Sequence, residues 1–177
     1  CYGSGNGKIA VTGSSTYGSE LGSAGVATLT NVVSGDLISA NTALTATVTN
    51  PSLANKSTSG NLKAGTYASA ENISSLNSGN GNGDANNYTY SAITGSYTVN
   101  PLALTAAIGT GSSTYGSSVT PGALSFSNLV GSDSVTGSSV SIVSPAYSTS
   151  NKLKAGTYKQ SVTSSLEGTD SVNYTFA

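Results

Sequence analysis

The heptapeptide GSSTYGS occurs twice, at 13–19 and at 111–117, and it opens a series of matches that recur in the same order. NVVSGD at 31–36 answers to NLVGSD at 128–133, and TATVTNP at 45–51 to SVSIVSP at 139–145. STSGNLKAGTY at 57–67 is nearly repeated as STSNKLKAGTY at 148–158, and NNYTY at 86–90 as VNYTF at 172–176. Collinear matches of this kind mean one module written twice, with small length changes between the copies. The spacing is too long for a solenoid repeat, so each copy is long enough to bury a modest core of its own. We therefore expect two modules, 1–100 and 101–177. The first carries its extra length in places such as SGNGNGDANN at 78–87, which reads as a longer loop.

Within a copy the pattern is that of short strands. Val, Ile, Thr and ten Tyr suit a half-buried pleated surface, whereas Glu, Gln and Arg, which favour long helices, are scarce or absent. Leu44, Ala46 and Val48 alternate with threonines through 43–50, and Val140 and Ile142 repeat this in the second copy. Leu102, Leu104, Ala106 and Ile108 alternate just beyond the junction, and Tyr67 and Tyr158 each open a strand after an Ala-Gly turn. No stretch shows a convincing helical period. The fold class is all-β, with six or seven strands per copy arranged as a small antiparallel, immunoglobulin-like sandwich, or else as a β-grasp module with one short helix. GSYTVNPLALTAAIG at 95–109 runs from the last strand of one copy almost directly into the first of the next, and Pro101 keeps Asn100 extended. Such a joint predicts an elongated, fairly rigid rod.

The charge is low. Charged residues make up 7% of the 177 residues, net charge is −1, and the basic residues are six lysines. Without a basic patch, nucleic acid is excluded as an expected partner. No apolar run is long enough for a membrane helix, so no membrane span is expected. The absence of His removes the usual general base and the usual triad, and the seven carboxylates are dispersed, so an enzyme is not expected. Glu167 and Asp170 are the pair closest to a glycosidase arrangement, but a turn explains EGTD better.

A few residues are candidates for binding. Asp84 in the Asn-Gly loop has the oxygen chemistry of a weak calcium ligand, although a single carboxylate favours an ordinary turn; no other cofactor is expected. Asp36 and Asp133, at matching positions, read as turn formers that bond nearby amides. Tyr17 and Tyr115, Tyr67 and Tyr158, and Tyr88 and Tyr174 recur at equivalent positions, as core packing demands. Tyr2, Tyr97 and Tyr147 fall outside those pairs and are the candidates for exposed contacts with a glycan. Lys63 and Lys154 read as solvent-facing residues that discourage edge pairing. Cys1, the single cysteine, admits no internal disulfide and is a candidate for lipidation or an intermolecular cross-link, or simply marks where the chain was cut.

The order of motifs resembles the MBG and YDG repeats of large bacterial surface adhesins, including filamentous-haemagglutinin-like proteins exported by two-partner secretion. The resemblance rests on Tyr17-Gly18, Gly35-Asp36, Ala64-Gly65-Thr66-Tyr67, Asn87-Tyr88-Thr89 and Thr98-Val99-Asn100-Pro101. It recurs at Tyr115-Gly116, Asp133, Ala155-Gly156-Thr157-Tyr158 and Asn173-Tyr174-Thr175. It implies an extracellular stalk at the bacterial surface that serves adhesion, aggregation or a biofilm matrix. The implied partners are neighbouring repeat modules or subunits, with polysaccharide or a host surface beyond them. Copy two has no equivalent of SAITGSYTVNP at 91–101, which leads us to expect a piece of a longer array. The rival expectations are a filament subunit completed by strand donation and an exopolysaccharide-binding module.

Overall fold

The computed structural model describes residues 3–9, 13–79, 81, 83–90 and 94–176. The chain is mostly strand and turn with very little helix, and it divides into two compact units, Cys1–Pro101 and Leu102–Ala177.

Unit 1 is built from β1 (Gly3–Ile9), β2 (Gly13–Thr16), β3 (Ala27–Thr30), β4 (Ile38–Leu44), the helical turn α1 (Ala46–Thr49), β5 (Gly65–Ser78), β6 (Tyr88–Tyr90) and β7 (Thr94–Asn100). These strands form a three-stranded sheet in the order β3-β1-β6 and a four-stranded sheet in the order β2-β7-β5-β4. The two sheets meet at Ile73 of β5, against which Ala27 and Leu29 of β3 pack together with Ala40 and Leu76. Burial of a side chain the size of Ile73 contributes about 1.5–3 kcal/mol. β5 does not alternate regularly. A bulge between Tyr67 and Glu71, with Ser69 at φ 52°, turns both Ala70 and Glu71 inward.

The pairing is mixed, which corrects the expectation of purely antiparallel sheets. β1 runs parallel to β6 and β2 parallel to β7, while β4, β5 and β7 pair antiparallel. The alternating segment 43–50 is also not one strand. The amide of Thr45 donates to the Ala70 carbonyl, and the carbonyl of Thr45 then accepts from both Val48 and Thr49, curling the chain into α1. Val48 is buried by that curl rather than by a pleat.

Unit 2 repeats the path with shorter pieces: β8 (Leu102–Ala103), β9 (Ala106–Ile108), β10 (Leu124–Phe126), β11 (Thr136–Gly137), β12 (Ser141–Ile142), β13 (Gln160–Ser161), β14 (Leu166–Glu167) and β15 (Tyr174–Thr175). β8 runs parallel to β15, as β1 does to β6, and β9 pairs with β10 as β1 does with β3. The β11–β14 and β12–β13 pairs take the place of the long β4–β5 ladder. From Leu102 to Ile108 every second side chain turns inward, with Leu104 the most buried. Phe126 and Phe176 meet edge to face at 5.6 Å. Tyr158 lies outside the strands, since β13 begins only at Gln160.

Candidate functional site

The repeated motifs are turns, each held by a hydroxyl or a carboxylate from far along the chain. In Thr16-Tyr17-Gly18-Ser19 the Ser19 amide donates to the Thr16 carbonyl at 3.0 Å with Gly18 at φ 82°. Its counterpart closes from Ser117 to Thr114 at 2.9 Å with Gly116 at φ 88°. A positive φ at the third place defines a type II turn and selects glycine there, so the Tyr-Gly pair recurs. The preceding tyrosine is then aimed at a serine loop. Tyr17 donates to Ser57 Oγ at 2.5 Å and lies 3.1 Å from Ser59 Oγ; Tyr115 donates to Ser148 Oγ at 3.0 Å and lies 3.3 Å from Ser150 Oγ.

That serine loop is itself conserved in geometry. The amide of Gly60 (φ 83°) donates to the Ser57 carbonyl, and the amide of Asn151 (φ 60°) donates to the Ser148 carbonyl. Asn tolerates the left-handed region best among residues with a side chain, which explains how STSN replaces STSG. After it, the phenol of Tyr67 donates back to the Lys63 carbonyl at 2.6 Å and that of Tyr158 to the Lys154 carbonyl at 2.8 Å. Burial raises the Tyr67 phenol above its ordinary value. Lys154 is exposed, whereas Lys63 is half-buried.

The most polar latch joins the Asp turn to the end of each unit. Tyr88 donates to Asp36 Oδ2 at 2.6 Å and accepts from the Val33 amide at 2.8 Å. Tyr174 does the same with Asp133 Oδ2 at 2.6 Å and the Val130 amide at 2.9 Å. The Asp36 bond, then burial, raise the Tyr88 phenol above its ordinary value. The turns differ in hand: Gly35 (φ 98°) holds the third place in Val-Ser-Gly-Asp, and Gly131 (φ 51°) the second in Val-Gly-Ser-Asp. A type II turn and its mirror type thus reach the same closure, from Asp36 to Val33 and from Asp133 to Val130.

Asp36 and Asp133 each close a turn, and each carboxylate also takes the hydroxyl of a distant tyrosine, which the sequence did not indicate. The amides next to them are bonded by other acids, Leu37 to Asp84 Oδ2 at 2.9 Å and Ser134 to Asp170 Oδ2 at 2.7 Å. Asp84 is buried, and the carboxylate of this calcium candidate accepts from the distant Leu37 amide. Asp170 is fully buried while Glu167 is exposed on β14, so the two do not present a pair of carboxylates to solvent.

Of the glycan candidates, Tyr97 is excluded as a surface contact. It is fully buried in β7, and its hydroxyl accepts from the Gly22 amide at 2.7 Å. Its neighbourhood is tight: a Cβ on Gly13 would fall 2.9 Å from the Tyr97 ring and 2.4 Å from the Ser23 carbonyl oxygen. Tyr147 is exposed and its backbone bridges to Leu153. Tyr2 and Cys1 lie outside the described residues. Sequence reasoning missed Glu71, which is fully buried and accepts from the Gly13 amide at 2.6 Å, with its second oxygen unpartnered. It missed the paired serines as well, although the repeated STS tripeptide was a signal for them.

Each unit also carries a groove. That of unit 1, about 340 Å³, is bordered by Thr16, Leu21, Val48, Asn50 and Lys56 and has no aromatic ring in its lining. That of unit 2, about 300 Å³, lies between 111–117 and 153–158 and includes the rings of Tyr115 and Tyr158. Ser148 and then Ser150 hold the Tyr115 phenol below its ordinary value by bonding its ionised form. Among the described residues no helix is long and apolar enough to cross a membrane. No family model matches this chain, and neither does any curated protein or solved structure.

Proposed function

We infer that this chain is a structural segment of a bacterial extracellular adhesin, a pair of tandem β modules that spaces a binding element from the cell surface or extends an adhesive matrix. The observation that carries this reading is the duplication of the latches. Tyr17, Tyr67 and Tyr88 bond to the same partners, at the same places, as Tyr115, Tyr158 and Tyr174. The residues repeated between copies are thus committed to holding turns, which suits a module selected for shape rather than for chemistry on a substrate. The reading includes each unit as a small two-layer sandwich and the pair as a rod, which small-angle scattering tests directly. It also includes kinship with the MBG and YDG repeats, on the motif order given above.

The deciding measurement is the intact mass of the native polypeptide, with both termini and Cys1 mapped. A larger parent with further copies of the module supports the stalk. A mature polypeptide with the bounds 1–177 and a lipidated or cross-linked Cys1 overturns it in favour of a filament subunit.

A further inference from the structure

The groove of unit 1 has an apolar floor and a polar rim. Val48, Leu62 and Val99 line its floor, and each is at most 9% exposed. Glu20 and Lys56, of opposite charge, line it as well. Glu20 is exposed and Lys56 half-buried. Charged residues are 7% of this chain, so an acid and a base at one groove stand out. Among the described residues no ion pair joins the two, and no hydrogen bond engages either side chain. Copy two keeps the frame and drops the charges. Val48 and Leu62 answer to Ile142 and Leu153, whereas Glu20, next to the repeated heptapeptide, answers to Ser118. Lys56 answers to Tyr147, since the bridge of Lys56 to Leu62 is matched by that of Tyr147 to Leu153. The turns close alike in both units, so the module's shape does not depend on this charged pair.

We propose that the groove of unit 1 binds a small aliphatic zwitterion, an amino acid or a short peptide. Its ammonium group meets Glu20, its carboxylate meets Lys56, and its alkyl side chain lies on Val48, Leu62 and Val99. The volume of about 340 Å³ is at the small end of ligand sites, which suits a ligand of this size. Asn50, exposed where α1 ends, adds an amide donor and an acceptor at the rim. A ligand of single charge would leave one of the two side chains unused. A neutral sugar would use neither charge and would find no ring in the lining to stack on. The inference does not rest on the adhesin reading, and the failure of either leaves the other standing.

The test is an NMR titration of the full chain with leucine, leucinamide, N-acetylleucine and dileucine. Leucine is expected to shift the amides of 18–21, 48–50, 56 and 60–62 in a saturable way. Leucinamide, without the carboxylate, and N-acetylleucine, without the ammonium group, are each expected to bind about five-fold more weakly, as the loss of one exposed ion pair implies. Glu20→Gln is expected to abolish the preference for leucine over N-acetylleucine, and Lys56→Met the preference over leucinamide. Dileucine carries the same two charges further apart; tighter binding than leucine identifies a short peptide as the ligand, weaker binding a free amino acid, and both support the charge pair. The absence of saturable shifts with leucine and dileucine overturns the proposal. Equal binding of leucine and its two derivatives by the unaltered chain overturns it too.

Discussion

Tyr17 and Tyr115 make the same hydroxyl contacts in different surroundings, and so provide a matched pair for measuring what burial adds to a hydrogen bond. Tyr17 is 1% exposed and its main acceptor, Ser57, is 7% exposed. Tyr17→Phe leaves the ring in place and removes one strong bond at 2.5 Å and a weaker contact at 3.1 Å. Ser57 and Ser59 retain their mutual contact at 3.0 Å, and the Asn61 amide still reaches Ser57 Oγ, so the serines are only partly deprived. A buried hydroxyl pair broken on one side costs about 1–2 kcal/mol, and in a domain of this size about 4–8 °C of Tm for each kcal/mol. Tyr115→Phe breaks the same pattern in a place where water replaces the lost partner, and we expect no measurable change in the stability of unit 2. Urea unfolding followed residue by residue by NMR reads the two units separately. Equal losses in the two variants, or a larger loss at Tyr115, would refute the argument that burial gives the latch its value.

Four further outcomes follow from the same geometry. Tyr174→Phe removes a charge-assisted bond to Asp133 and the acceptor of the Val130 amide, from a side chain that is nearly buried; we expect about 2–3 kcal/mol lost from unit 2, read from its urea midpoint. Gly168→Ala places a Cβ 2.6 Å from the Ser134 carbonyl oxygen at φ 110° and is expected to prevent unit 2 from folding natively. Gly60→Asn, which copies Asn151 of the other unit, is expected to cost less than about 1 kcal/mol; circular dichroism melting compares the two. The tyrosines also titrate in opposite senses. Tyr88 is raised, so its contribution is intact below its ordinary value of 10.0 and is lost as pH climbs through the higher folded value. Tyr115 is lowered, so its contribution is present above 10.0 and is lost as pH falls through the lower folded value. Carbon-13 NMR of the ring Cζ should place the two inflections on opposite sides of 10.0, and a common inflection would contradict the bonding described.

How much of this was legible in the sequence depends on the range over which each residue acts. Gly18 and Gly35 act within their own turns, so the Tyr-Gly and Gly-Asp motifs marked those turns from local sequence alone, whereas the turn at Ser57–Gly60 was not read. The strand character of β5 and the inward alternation from Leu102 to Ile108 are likewise local. What local pattern could not give is the partner. Asp36 looked like a cap for its own turn because a carboxylate two atoms from the backbone often is one. In the fold, the turn brings Asp36 under Tyr88, 52 positions along the chain, and Asp84 accepts from the neighbouring Leu37 amide. Tyr97 was misjudged for the same reason. It lacked a counterpart in the second copy, and absence from the repeat suggested a surface role. Yet no counterpart of β7 stands among the described residues of the second unit, and in the first unit that strand lies between β2 and β5 with Tyr97 and Val99 buried. A residue unmatched between copies therefore carries two meanings. At Tyr147 it marks an exposed side chain beside a bridge, and at Tyr97 it marks a side chain buried within an inner strand. Only the sheet order distinguishes them, because the parallel pairing of β2 with β7 joins residues from opposite ends of the unit and leaves no periodic trace in either segment.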